Sequence, residues 1–486
     1  MDTGRIQAAL QRFEDHPGAA IEEMPKKMRA DHRPPSAAPF DTQAIEDGSF
    51  VAKKKSLRTQ LHVVGDGGQV SVEDQLLAPI EENDRPERLV DELVYTKPKE
   101  IDKAGLQRAA LAEAPWSDDY WPIYRGMLGC RYADPKFPGR DAEWQDGYDY
   151  VKQHPAPAIV AGGDADAIDR LSPSEKYDLL VGDAAGTLTE SMWMTGQGYA
   201  EGTGTVEKWM GICHGWAPAS FMLPCPQHVV TAVSPDGVEI RFFPSDIKSL
   251  ASLLWANAAP AMRFIGSRAD DKNPAVDENG RIISQPAFDT NPGTWHLSVV
   301  NQLAGKRSFV LDAQFDYEVW NQPVYSYEYA YFNEQEYRLA NDLEDGTVNR
   351  GAFTEDRFRK YRSKKMAAVV GVAMQLGYIV ESSPSHTASH TPEANNVTLV
   401  QYLYDLELDA EGTIIGGEWL HQAHPDFLWT PPPKSRALTD ADQQASGAWS
   451  IPGPLPKSWQ SAARLASSYQ RPLAKIVEAL ITAARG

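Results

Sequence analysis

The segment Trp209-Met210-Gly211-Ile212-Cys213-His214-Gly215-Trp216-Ala217-Pro218-Ala219-Ser220 sets a thiol between two glycines and two tryptophans, opening an alanine-containing run. Glycine at both flanks lets other backbone come close, so the fold must press neighbouring chain against this segment. The run after Cys213 predicts a helix with the sulfur in its first turn, where backbone N–H groups and the helix dipole favour thiolate over thiol. The thiolate is the nucleophilic form. The alternative is a buried structural cysteine, because free cysteine is among the most buried residue types.

A base and an orienting acid are found downstream. Asn291 to Val300 and Ser308 to Asp312 are β-prone stretches around a short polar connection, Asn301 to Arg307, which predicts an antiparallel hairpin. With the turn centred at Ala304, His296 falls opposite Asp312, within the roughly 5 Å between cross-strand Cβ atoms. The chain order Cys213, His296, Asp312 suits a nucleophile, a base and an acid that fixes the imidazole tautomer. A strand histidine and an unrelated acid are the plain alternative. His424, close to Glu418 and His421, is the second candidate for the base.

Several strings then occur in a characteristic order: Ala114-Pro115-Trp116, Tyr120-Trp121-Pro122, Trp209 to Ala219, Phe242 to Lys248, Asn291-Pro292-Gly293, Glu318 to Val324, Gly416 to Trp419, and His424 to Phe427. With these the chain resembles the elicitor-type transglutaminases of plant-pathogenic oomycetes and their bacterial relatives, over roughly residues 100 to 430. The resemblance implies an α+β, papain-like core: a helix bearing Cys213 packed on an antiparallel sheet bearing His296 and Asp312. It implies a protein-glutamine γ-glutamyltransferase that joins glutamine to a lysine or other amine, or deamidates it, through a Cys213 thioester. The same residues would serve a papain-like cysteine protease or amidase. A reading of another class is an inactive member acting as an interaction or elicitor protein. Trp209, Trp216, Trp320 and Asn321 are candidates for oxyanion donor or groove wall, with Trp116, Trp121 and Trp295 as further walls. Two departures stand out. Tyr325-Ser326-Tyr327-Glu328 replaces the Arg-Gly-Phe-Lys of oomycete members, which argues against elicitor activity, and Glu207 occupies the place of the papain-type oxyanion glutamine.

Composition bounds the remainder. The 486 residues suffice for a large core, and a net charge of −20 opposes a grip on nucleic acid or anionic membrane. It favours cationic amine donors by long-range attraction. Expected partners are glutamine-bearing proteins or peptides and primary amines. Three cysteines form no disulfide framework. No apolar leader follows Met1 and no run reaches the length of a membrane span, so the expectation is a cytoplasmic protein or one exported by a signal-independent route.

The expected organisation is an N-terminal extension to residue 95, a catalytic domain over 96–430, a Pro-rich linker over 431–456 and a helical segment over 457–486. Strands are expected near Leu61 to Val72, a helix near Arg85 to Glu92, a hairpin at Asp236-Gly237, a helix capped by Ser245, and strands at Lys365 to Glu381 and Val397 to Leu408. No cofactor is expected. Cys213-His214 with Cys225 and His228 has awkward spacing for zinc, and Asp270 to Asn279 departs from the spacing of a calcium loop. The alternating Tyr325, Tyr327, Tyr329 and Tyr331 read as one aromatic strand face.

Overall fold

The computed structural model describes residues 1–21, the backbone of 27–29, and 84–267, 275–284, 288–313, 319–421 and 424–485. The expected strands near Leu61 and the first half of the Asp270 to Asn279 segment lie outside these.

Two 13-residue strands, Ala368–Val380 and Asn396–Leu408, form the sheet's spine. They pair antiparallel along their whole length, from Ala368 opposite Leu408 to Val380 opposite Asn396. Their β-branched and aromatic residues suit a pleat packed on both faces. Asn321–Asn333 joins the first of them, and Val310–Asp312, Phe427–Thr430 and Arg263–Gly266 extend the sheet in that order, all antiparallel. The architecture is α+β, as expected. The Val230–Val233 and Glu239–Phe242 hairpin turns at Gly237, whose φ of 83° needs no Cβ to clash. Helix Pro244–Ala258 starts two residues earlier than expected: Phe243, not Ser245, is its cap, and the Asp246 carboxylate reaches back to the Phe243 N–H at 2.8 Å.

Side chains alternate across the short strands and divide the core. Phe264, Val310, Phe427 and Trp429 point into a helical layer containing Cys213, Trp216, Leu250 and Leu254. Ile265, Leu311 and Leu428 point to the opposite side, into a layer containing Trp295, Val299, Tyr327, Tyr329, Tyr331 and Tyr402. The tyrosine run is thus a core wall. The C-terminal helices Lys457–Ser467 and Ala474–Ala483 pack into the first layer, where Ile476, Val477 and Leu480 are fully buried and the Leu473 N–H bonds the Tyr177 hydroxyl at 2.8 Å. The N-terminal helix Thr3–Asp15 buries Ile6, Leu10 and Phe13 against Phe332, Ala373 and Leu403. Around the expected helix at Arg85 to Glu92 there is a single turn, Pro86–Arg88.

One expectation is corrected. Pro292–Ala304 is a helix, not the first arm of a hairpin. Asn291 caps it by accepting from the Gly293 N–H at 2.9 Å, and Pro292 opens it with a ring already at helical φ. Residues Pro292 to Leu303 are all buried, polar Thr294, His296, Ser298, Asn301 and Gln302 among them, so the helix has no solvent face to give it an amphipathic period.

Candidate active site around Cys213

Cys213 is the first residue of helix Cys213–Met222, as its flanking residues predict. The glycines act as expected. A Cβ on Gly211 would lie 2.3 Å from the Tyr120 carbonyl oxygen, and one on Gly215 would lie 2.2 Å from that of Ser252. Gly215 thus lets the Cys213 helix sit directly on the backbone of helix Pro244–Ala258. The Ile212 N–H bonds Tyr120 O at 2.7 Å and the Ile123 N–H bonds Met210 O at 2.9 Å, which clamps the approach to the helix.

The sulfur meets two side-chain or carbonyl partners and the Asn321 backbone N–H. The Asn321 side-chain N–H donates to Sγ at 3.5 Å, and the thiol donates to the Val319 carbonyl at 3.8 Å. Asn321 stands across the ladder from Asp312, whose carboxylate accepts from the Trp320 N–H at 3.0 Å and is fully buried. Burial pushes the Cys213 thiol up to about 11. Asn321 opposes the shift, and the Glu381 and Asp312 carboxylates add to it. Placement at a helix head therefore does not yield a thiolate here: desolvation and two nearby carboxylates outweigh the dipole. Alkylation of Cys213 by iodoacetamide is expected to accelerate about tenfold per pH unit above neutrality and to level off only near the thiol's own value. A plateau already reached by mildly alkaline pH would contradict this environment.

His296 lies elsewhere. Its Nδ1 shares a 2.8 Å hydrogen bond with the Tyr404 hydroxyl, its ring meets Tyr329 edge-on at 5.0 Å, and burial alone holds its imidazole down to about 3. Its partners belong to the layer behind the sheet, whereas Cys213 belongs to the layer in front. The hairpin that would have set His296 opposite Asp312 is absent because the segment is helical. His424, the other candidate base, stacks on Trp419 at 4.4 Å, and its Nδ1 lies 3.4 Å from Asp289. Trp419 packs on Trp295, Tyr402 and Tyr404, so His424 also sits with the rear layer. The structure brings Cys213, Asn321 and Asp312 together and brings neither histidine to them.

Most of the tryptophans expected to line a groove are core. Trp116, Trp121, Trp216 and Trp295 are at most 1% exposed, and Trp216 donates to Trp116 O at 2.9 Å. Trp209 is half-buried, and Trp320, at 8%, meets Tyr120 edge-on. Two residues beside the site had not been singled out: Glu381, which accepts from the Gln322 amide at 2.7 Å, and Trp429, which donates to the Asn321 carbonyl at 2.8 Å. Neither carries a local sequence signal, since strand pairing alone brings them here. Among the described residues no set of three His, Cys, Asp or Glu side chains is arranged to hold a metal ion, and no helix is long and apolar enough to cross a membrane.

A cysteine at a helix head, set against an antiparallel sheet that carries an amide donor and a carboxylate, is the class of site this fold presents. The chain belongs to the transglutaminase elicitor family, whose model matches residues 91–442. It is similar to the crystal structure of the GP42 transglutaminase from Phytophthora sojae, at 21% identity over 71% of this chain and 88% of that one, with a TM-score of 0.48. None of the proteins with curated descriptions matches the chain.

Proposed function

We propose that the protein is a thiol acyltransferase acting on glutamine side chains of proteins or peptides. The Cys213 sulfur attacks the carboxamide carbon. The thiol proton passes to Asp312 and on to the leaving nitrogen, which departs as ammonia. The thioester is then taken by a primary amine, giving an isopeptide or other substituted amide, or by water, giving glutamate. His296 and His424 have no part in this reading, since both stand behind the sheet. The supporting observation is the Asn321 amide N–H donating to the Cys213 sulfur at a helix head, in a member of the transglutaminase elicitor family. The net charge of −20 favours cationic amines as acceptors.

A second reading has its own support. A thiol raised to about 11, with both candidate bases on the other side of the sheet, suits a member that binds partners without catalysis. The purified protein and Cys213→Ala are compared for incorporation of a fluorescent primary amine into a glutamine-rich protein. Incorporation by the wild type and none by Cys213→Ala is the expected result. Equal signals from both, or none from either, would reject the enzyme in favour of the binding protein. Peptide cleavage without incorporation would make it a protease.

A further inference from the structure

We infer that Trp429 is a positioning residue for the Cys213 sulfur: its indole N–H fixes which end of the Asn321 side chain faces the thiol. An indole nitrogen only donates, so the Asn321 atom it meets at 2.8 Å must be the carbonyl oxygen. The amide's other end, the NH2 group, is thereby the end that points at Sγ, 3.5 Å away. Asn321 could otherwise present either end with almost no change of shape. The carbonyl end would set a partial negative charge against a developing thiolate, where the N–H end offers a hydrogen bond.

The supports of this arrangement are rigid. Trp429 is 2% exposed and lies mid-strand, paired with Phe264 on one side and Val310 on the other. Asn321 opens the strand beyond Val310–Asp312, opposite Asp312. Both groups are therefore set by the sheet, and neither depends on a loop. The resting sulfur sits between an acceptor, the Val319 carbonyl, and a donor, the Asn321 amide. On ionisation the first contact turns unfavourable, while the Asn321 side-chain amide stabilises the anion alongside the Asn321 backbone N–H. The role of Trp429 deepens the acyl-transfer reading, because thioester formation needs the sulfur in its anionic form. It is a property of the thiol and can be measured without any turnover.

The test is the rate of Cys213 alkylation by iodoacetamide across the alkaline range on the full chain, followed at the Cys213 peptide by mass spectrometry. Trp429→Phe, Asn321→Ala and the double variant are compared with the wild type. Trp429→Phe is expected to slow alkylation about 3- to 10-fold at a fixed pH, corresponding to an upward move of the thiol's pH midpoint by about half a unit to one unit. Asn321→Ala is expected to slow it similarly, with the double variant no slower than Asn321→Ala alone. Trp429→His, which keeps a ring N–H at about the same reach, is expected to recover part of the rate. An unchanged rate in Trp429→Phe would overturn the inference. Independent slowing by the two substitutions, or faster alkylation from a loosened core, would overturn it equally. If the amine-incorporation assay fails while the alkylation pattern holds, the function is wrong and the positioning role survives; the reverse outcome removes only Trp429.

Discussion

Arg362→Met is expected to destabilise the protein by about 3–5 kcal/mol, the cost of leaving buried charge without its partner. The Arg362 side chain is fully buried beneath the two long strands. Its guanidinium donates to Asp405 at 2.7 Å and to Asp356 at 3.2 Å, lies 3.5 Å from Glu334, and has Glu407 at 3.8 Å. One cation thus serves four carboxylates, and the group cannot be fully ionised without excess negative charge in the interior. Glu334 and Glu407 respond by holding protons. Burial, then Asp405, pushes Glu334 well above its ordinary value, and burial raises Glu407 to about 7. A carboxyl whose folded value is raised binds more protons folded than unfolded, so its contribution to stability is present at low pH and is lost as pH rises towards the folded value. Without the guanidinium these values rise further. The deficit of Arg362→Met is therefore expected to be smaller at pH 5 than at pH 8, as measured by urea midpoints at the two pH values. A deficit independent of pH, or larger in acid, would mean that the carboxylates are ionised and water-screened.

Gly215→Ala should cost about 3 kcal/mol, towards the upper end for overpacking a core. The added carbon would lie 2.2 Å from Ser252 O and 2.6 Å from the Ala256 nitrogen and Cβ. Two of these three atoms are backbone in the middle of a helix and cannot turn aside, so one helix must lift off the other. The displaced helix carries Cys213 at its head, two residues away. A lowered urea midpoint with an unchanged slope is the expected signature, together with altered Cys213 alkylation. Gly198→Ala, where a Cβ meets nothing within 4 Å, serves as a control and should be neutral or slightly stabilising. Wild-type stability in Gly215→Ala would show that the helices pack less closely than described.

Residues with a local cause were legible in the sequence. The two glycines around Cys213 announced close approach, and both face backbone carbonyls. The long strands came from dense β-branched runs, and the hairpin came from Asp236-Gly237. The helix at Asn291 also had its local marks, an Asn cap followed by proline and a glycine after the last turn, but burial on every side left it no amphipathic period and it read as a strand. That misreading put His296 on the wrong side of the sheet.

The amino-acid sequence by itself determined the family, the α+β class, the cysteine at the head of a helix and the glycines that seat it, because each follows from neighbours within a few residues. Only the tertiary structure decided what the sulfur meets. Strand register sets Asp312 beside Asn321 and brings the Trp429 indole to the Asn321 carbonyl, while the alternation of side chains sends the partners of His296 to the opposite layer. A shift of one residue in any of those strands would exchange the two faces, and no local preference encodes that choice. The thiol's protonation follows the same rule, since it depends on burial and on two carboxylates about 100 and 170 residues away along the chain.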